Sequence, residues 1–354
     1  MRRLLLLVVV GLALYGVWWY ETEWPVRSAS QPPQTLVVEP GWGVLEIGRH
    51  LQALGLVRHP ELFRALVVLR GAAGRLRAGE YEFTGRMSLS QIVDKMARGE
   101  VVRHNVTFPE GRNLDEMAAL AAARGIPAEA FLTAARNVAL VHDLDPAAED
   151  LEGYVFPDTY DISPRRPDAA ADVVGRAVHR FHEVIAPELP SLAATGLTPR
   201  EVVTLASLVE LESAAKQERP RIAAVFLNRL KRGMPLQTDP TVIYAMRKAG
   251  SWNGNIRKAD LDIDSPYNTY RHAGLPPGPI ASPGREALRA VLHPAPSKDL
   301  YFVSRNDGTH YFSETLEQHA RAVDYYQRNR GAPPPEQSPL PVPPPASPAP
   351  ARGR

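Results

Sequence analysis

The chain has 354 residues, a formal net charge of +2 and no cysteine. This length allows a sizeable core and more than one domain, and the near-neutral charge argues against a nucleic-acid-binding protein with a concentrated basic surface. The absence of cysteine excludes disulfides, thiolate metal sites, cysteine catalysis and a lipidated cysteine anchor.

The N-terminal segment predicts a transmembrane anchor. Residues 1–3 are a basic cytoplasmic start, and residues 4–20 are an apolar run at the short end of the length of a spanning helix. Trp18, Trp19 and Tyr20 at its far end are typical of an interfacial aromatic belt. A cleavable signal peptide is the alternative, but no small-x-small cleavage site follows the run. We therefore expect the rest of the chain to lie outside the cytoplasmic membrane.

The next segments predict a linker and a small α+β unit. Residues 21–35 contain scattered Pro, Ser and Gln, as a linker does. Residues 36–108 alternate strand-like and helix-like patterns, including a capping box at Ser88 and Gln91. Such a unit is either purely structural or a glycan-binding module, and the pattern does not choose between them.

Residues 109–330 predict a second, mixed α/β domain. Several helices surround an aromatic segment at 151–160, and a Pro- and Gly-rich loop at 265–284 is too irregular for a helix or a strand. An Asp-Gly turn at 307–308 predicts a hairpin before the last helix. In the tail, residues 331–354, ten of the 24 residues are Pro, which predicts disorder.

One helix in this domain carries the candidate catalytic groups. Thr198 is a good N-cap, and Glu201 completes a capping box. Residues 202–209 contain hardly a polar group, which predicts a helix that is buried on all sides. Glu210 and Glu212 follow, and two helical positions turn their side chains about 200° apart. At least one carboxyl is then expected where burial raises its pKa, as a general acid requires. The pattern does not say which, and a solvated helix end is the competing interpretation.

Other chemical signatures are absent or fail on inspection. The chain has no G-x-S-x-G, P-loop or dinucleotide fingerprint. His179, His182 and Glu183 have the wrong order for a zinc helix, so a solvated helix face is the better interpretation. Asp260, Asp262 and Asp264 lack the glycine and the bidentate glutamate of a calcium loop. Ser207 is better explained by helix packing than by nucleophilic catalysis.

Several motifs in one order resemble the YceG-like family of endolytic murein transglycosylases. They are Glu110-Gly111 and the segments 151–160 (LEGYVFPDTY), 205–212 (LASLVELE), 226–230, 236–244 (LQTDPTVIY), 265–270 and 274–280. The resemblance runs from the N-terminal segment to about residue 329, and Leu211 stands where many relatives have Lys. It implies an inner-membrane helix, a LysM-like subdomain over 36–108 and a catalytic domain over 109–330, in the periplasm. It also implies that Glu210 is the catalytic glutamate.

The implied reaction cleaves peptidoglycan strands between N-acetylmuramic acid and N-acetylglucosamine. Glu210 would protonate the glycosidic oxygen and then accept the proton of the muramyl C6 hydroxyl, which closes a 1,6-anhydro ring. The internal nucleophile replaces the second carboxylate of an ordinary glycosidase, so neither a metal nor another cofactor is needed. The resemblance also implies a role in terminating the elongation of nascent strands.

Six further residues are candidates for lining the glycan groove, and each has a purely structural alternative: Gln237, Asp239, Tyr267, Asn268, Tyr270 and Glu152. The expected partners are glycan strands, the cytoplasmic membrane and proteins of wall synthesis. A non-catalytic peptidoglycan-binding scaffold and a hydrolytic muramidase are the alternative functions.

Overall fold

The computed structural model describes residues 2–26, 31–84, 86–102, 104–213, 215–335 and 337. The chain forms two compact units. The small unit contains Met1–Asn105 and Asp161–Ala169, and the large unit contains Val106–Tyr160 and Ala170–Arg354. Most of the Pro-rich tail, namely residues 336 and 338–354, lies outside the described residues, as do residues 27–30 of the predicted linker.

The described residues form a mixed α+β fold, as the sequence predicts. The helices are α1 Arg2–Glu23, α2 Val44–Ala53, α3 Pro60–Leu69, α4 Leu89–Ala97, α5 Leu114–Ala122, α6 Ala128–Ala134, α7 Ala169–Ile185, α8 Leu189–Thr195, α9 Pro199–Glu212, α10 Arg219–Lys231, α11 Asp239–Lys248, α12 Arg285–Leu292 and α13 Leu316–Arg328. The strands are β1 Gln34–Val38, β2 Gly79–Phe83, β3 His104–Thr107, β4 Thr159–Ile162, β5 Tyr301–Ser304 and β6 His310–Ser313. They pair as β1–β2, β3–β4 and β5–β6.

The small unit packs three helices on a two-stranded sheet. Strand β1 is antiparallel to β2, with Leu36 opposite Tyr81. Alternation buries Leu36 and Val38 on one strand and Tyr81 and Phe83 on the other, where α2, α3 and α4 complete the core. The predicted capping box at Ser88 is present and begins α4.

The N-terminal apolar run is helical, but the predicted transmembrane anchor over residues 4–20 is not borne out. Across the described residues, no helix combines the length and the apolar character that crossing a membrane requires. The end of α1 instead packs on the small unit: Trp18 contacts its core, Thr22 is buried, and the Glu23 carboxylate accepts a hydrogen bond from the Ser90 hydroxyl. The helix continues to Glu23, into the segment predicted as a linker.

Helix α9 is the centre of the large unit. Thr198 and Glu201 form the predicted capping box, and every residue from 202 to 210 is buried. Helices α10, α11 and α12 pack against it. The Ser207 hydroxyl donates to the Thr204 carbonyl at 2.7 Å and accepts from the Ile280 amide at 3.1 Å. Ser207 therefore has the packing role that the sequence favours, and it fastens the 265–284 loop to the helix.

The large unit also contains the predicted hairpin and a closely packed glycine, Gly153. Strands β5 and β6 are antiparallel, with Phe302 opposite Phe312, which confirms the hairpin. Gly153 has a left-handed backbone, with φ 84°. A Cβ at this position would lie 2.5 Å from Pro279 Cβ and 2.9 Å from Val203 Cγ1. The 151–160 segment, the 265–284 loop and α9 can meet here only around a glycine.

We expect Gly153→Ala to destabilise the protein. The substitution combines a strained left-handed alanine with an overpacked contact, which together cost about 2–4 kcal/mol. The free energy of unfolding from urea titration measures the effect.

Gly175→Ala is the matched control, because Gly175 is in α7 and a Cβ there meets nothing within 4 Å. Removing a helical glycine should stabilise by about 0.5–1 kcal/mol. Equal unfolding free energies for the two variants would contradict the close packing at Gly153.

Candidate active site

The Glu210 carboxyl is buried at the C-terminal end of α9. Its side chain is 5% exposed. Oε2 accepts a hydrogen bond from the Gly284 amide at 2.9 Å, and Oε1 forms an ion pair with the Arg219 guanidinium. Burial raises the pKa of Glu210, while the Gly284 amide and Arg219 act in the opposite direction. Burial therefore favours the protonated form of Glu210, whereas the Gly284 amide and Arg219 stabilise its carboxylate form.

Backbone pairing brings a second carboxylate to the same place. The Gly111 amide donates to the Ser282 carbonyl, and the Ser282 amide donates to the Arg112 carbonyl, each at 2.9 Å. This pairing holds Glu110 beside Gly284. Glu110 Oε2 lies 3.2 Å from Lys216 Nζ and 3.7 Å from Arg219 Nη2. Glu210 and Glu110 therefore face the same arginine from two different segments.

Glu212 occupies a different environment on the other side of the helix end. Its carboxylate accepts a hydrogen bond from the Thr238 hydroxyl, and burial raises its pKa. Of the predicted groove residues, Gln237 and Asp239 flank Thr238, and the Tyr270 hydroxyl donates to Asp239 Oδ1 at 2.6 Å. The structure gathers these three candidates around Glu212, whereas Glu210 has Glu110, Arg219 and Gly284 as neighbours.

The loop candidates Asn268 and Tyr267 have contacts inside the large unit. Asn268 is fully buried, and its Nδ2 donates to the carbonyls of Leu261 at 2.8 Å and Ile263 at 2.9 Å. Its Oδ1 accepts from the Tyr270 amide at 3.0 Å. These bonds hold the loop together, which is the structural alternative for Asn268. Tyr267 is half-buried, with its ring 4.9 Å from that of Tyr244.

Glu152 lies beneath the surface. It is 7% exposed, and its Oε2 accepts from the Leu114 amide at 3.3 Å and from the Tyr244 hydroxyl at 3.4 Å. Its Oε1 is buried without a hydrogen-bond partner among the described residues. Burial raises the pKa of Glu152 to about 8, so the group is protonated at neutral pH. It supports the start of α5 from below and does not line an open groove.

Two clefts are lined by residues that adjoin the carboxylate pair, although neither is lined by Glu110 or Glu210 themselves. One, of about 230 Å³, is lined by Gly111 and Leu211, the residues that follow Glu110 and Glu210, and by Tyr244 and Arg247. The other, of about 140 Å³, is lined by Lys216, which binds Glu110, and by residues of α12. None of the six predicted groove residues lines either cleft. Within the described part of the chain, no group of three or more His, Asp or Glu side chains is placed to hold a metal ion.

The sequence patterns gave no role to four residues around Glu210: Glu110, Lys216, Arg219 and Gly284. Glu110 and Gly111 were recognised only as a motif, with no role attached. Arg219 and Gly284 follow Glu210 by nine and 74 residues. Only the tertiary fold brings these residues to Glu210, so the helix and strand periodicity of the sequence could not predict their contacts.

The buried Glu152 generates a pH prediction. Its pKa is about 8 in the folded protein and 4.5 as a free side chain, so the folded state binds the extra proton between these values. The Glu152 contribution is fully present below about pH 4.5 and is lost as the pH rises through about 8. We expect Glu152→Gln to be more stable than the wild type above about pH 8, by on the order of 2–4 kcal/mol.

Unfolding by urea at several pH values measures this difference. Glu149→Gln is the control for the removal of an acidic side chain, because Glu149 is exposed in the same segment. If the Glu152→Gln difference does not change with pH, the Glu152 carboxyl is not protonated in the folded protein.

Comparisons with known proteins agree with this architecture. The profile of the YceG-like family matches residues 36–325. The endolytic murein transglycosylase of Bacillus subtilis (strain 168) is 32% identical over 337 residues, which are 90% of this chain and 91% of that protein. That of Streptococcus pneumoniae (serotype 2, strain D39) is 32% identical over 84% of this chain, but the match spans only 59% of the pneumococcal protein.

A solved structure of a yceG-like protein is also similar to this chain. The crystal structure of a yceG-like protein from Listeria monocytogenes matches with a TM-score of 0.55 and 31% identity, covering 81% of this chain and 98% of that one. The family profile covers most of the chain, and the Bacillus protein matches along nearly its full length. The chain belongs to the YceG-like family.

Proposed function

We propose that the protein is an endolytic peptidoglycan transglycosylase in which Glu210 is the general acid and base. The observation that carries the proposal is the buried Glu210 carboxyl, which has a raised pKa and whose carboxylate form has two donors, the Gly284 amide and Arg219. The larger cleft is lined by Leu211 and Gly111, which follow Glu210 and Glu110 in the chain, and it offers room for a strand near this carboxyl. The names of the Bacillus and pneumococcal relatives support the same substrate class.

In the proposed reaction, protonated Glu210 donates its proton to the oxygen of the bond between N-acetylmuramic acid and N-acetylglucosamine. The resulting carboxylate is stabilised by the Gly284 amide and by Arg219. It then accepts the proton of the muramyl C6 hydroxyl as the oxygen of that hydroxyl bonds to C1. The products are an anhydromuramyl end and a free N-acetylglucosamine end, and Glu210 recovers its proton. This cleavage would terminate elongation of a nascent strand.

We expect Glu210→Gln to abolish strand cleavage. Loss of a general acid lowers the rate by about 10²–10⁴-fold. The assay is digestion of purified glycan strands, with the products identified by mass. Anhydromuramyl ends support the transglycosylase, reducing ends indicate a muramidase, and intact strands indicate a scaffold.

Two further variants make the assignment specific. Glu129→Gln, on the exposed face of α6, is the control and should be fully active. Glu212→Gln should retain more activity than Glu210→Gln, because its carboxyl binds Thr238 on the other side of the helix end. The reverse order would move the catalytic assignment to Glu212.

We also propose attachment to the cytoplasmic (inner) membrane, with the catalytic unit on the periplasmic side and proteins of wall synthesis as neighbours. The peptidoglycan substrate proposed above supports the periplasmic side, because the cell wall lies outside the cytoplasmic membrane. Apolar side chains of α1 that are exposed to the extent of 67% at Leu5 and 66% at Leu12 support the attachment.

Deleting residues 2–17 should therefore release the protein from the membrane fraction without loss of its activity on isolated strands. Residues from Trp18 on are kept, because they pack on the small unit. Sedimentation with membranes followed by immunoblotting measures the effect. A full-length chain that stays in the supernatant would contradict the attachment.

A further inference from the structure

Two carboxylates share one buried guanidinium. The Arg219 side chain is 3% exposed, and its Nη2 faces Glu210 Oε1 in an ion pair and Glu110 Oε2 at 3.7 Å. Its Nε and Nη1 are buried and have no hydrogen-bond partner among the described residues. The arginine thus directs its charge to this carboxylate pair through a single nitrogen.

The same two carboxylates meet at Gly284. Its amide donates to Glu210 Oε2 at 2.9 Å. A Cβ at position 284 would lie 2.0 Å from Glu110 Oε1, so the Glu110 carboxylate lies where any other residue would place a side chain. The backbone at Gly284 has φ −77° and ψ 173°, which any residue can adopt. Space for Glu110, rather than backbone conformation, is the structural reason for a glycine here.

We propose that Glu110 is a positioning residue of the active site, whose negative charge competes with Glu210 for Arg219 and so keeps the proton on Glu210 for the acid step. The inference rests on the proposed function of Glu210. Glu110 gains and loses no proton in the reaction. It acts only by deciding how much of the Arg219 charge reaches Glu210.

Electrostatics support this role. Without Glu110, the whole charge of Arg219 would stabilise the Glu210 carboxylate and make the group a poor acid. Burial raises the pKa of Glu210, and the charge of Glu110 raises it further. Arg219 and Lys216 lower it. Lys216, bound to Glu110 at 3.2 Å, limits the effect of the second carboxylate.

Charged side chains on the other helices that pack against α9 pair with, or lie beside, groups other than Glu210. On α11, Asp239 accepts from Tyr270 beside Glu212. On α12, Glu286 and Arg289 line the cleft at Lys216, and Arg289 pairs with Glu188. Among the described charged groups, Arg219, Glu110 and Lys216 are the ones that act most strongly on Glu210.

The test is the pH profile of strand cleavage by the full chain. We expect Glu110→Gln to lower kcat with little change in KM, and to shift the alkaline limb to lower pH, because Glu210 loses its proton more readily. The ratio of the rate at about pH 8 to that at about pH 6 should fall at least about threefold. Glu110→Asp keeps the charge and should restore most of this ratio.

Lys216→Gln is the matched variant of opposite sign. It removes a cation that lowers the pKa of Glu210, so the alkaline limb should move to higher pH. A uniform loss of activity in Glu110→Gln, with an unshifted pH profile and no rescue by Glu110→Asp, would overturn the proposal and leave Glu110 a purely structural role. Shifts of the same sign in Glu110→Gln and Lys216→Gln would overturn it as well.

A second readout does not depend on activity. The stability of the wild type relative to Glu210→Gln should decrease as the pH rises above about 4.5, because the folded protein holds the Glu210 proton longer than the unfolded chain. In a chain that also carries Glu110→Gln, this decrease should be smaller. Equal decreases would overturn the coupling, whether or not the protein cleaves glycan strands. An inactive protein with unequal decreases would refute only the proposed function.

Discussion

The structure depends on how the buried carboxyl of Glu210 is accommodated. A carboxylate removed from water is costly unless it is paired and hydrogen-bonded. Its partners come from distant parts of the chain: the Gly284 amide from the end of the 265–284 loop and Arg219 from the first position of α10. The helix end, the loop and α10 are therefore held in one arrangement, because displacement of either partner would leave the charge of Glu210 poorly compensated.

The two carboxyls at the end of α9 show how local surroundings separate chemically identical groups. Both lie in the last turn, where the helix dipole disfavours negative charge. The Glu212 carboxylate accepts a hydrogen bond from the Thr238 hydroxyl. The Glu210 carboxylate accepts one from the Gly284 amide and forms an ion pair with Arg219. Leu211, exposed between them, lines the larger cleft together with Gly111. Two residues of this cleft are therefore the direct chain neighbours of Glu210 and Glu110.

Local sequence signals predicted the frame of the large unit but not its site. The capping box of Thr198 and Glu201, the apolar run after it and the Asp-Gly hairpin are short-range features, and the structure contains each of them. The pairing of Glu210 with Arg219 and Gly284 is a tertiary event without any periodic pattern. Asn268 was a groove candidate because a polar residue in a loop attracts a functional interpretation, yet its amide donates to the carbonyls of Leu261 and Ile263, just before the loop. The transmembrane prediction rested on the apolar run, its aromatic end and the basic start. These local features could not foresee that the end of α1 packs on the small unit.

A lytic cleavage with one ionisable group requires both protonation states of that group within a turnover. The Gly284 amide and Arg219 favour the carboxylate form of Glu210, which would suit the base step of the proposed reaction. The same donors oppose the acid step, so an active site with Arg219 and the Gly284 amide alone would favour only half of the reaction. Burial and the neighbouring charge of Glu110 act in the other direction. The protonation state of Glu210 therefore depends on a balance between opposing electrostatic effects. A shared arginine contributes to this balance, because one guanidinium between two carboxylates neutralises neither of them completely.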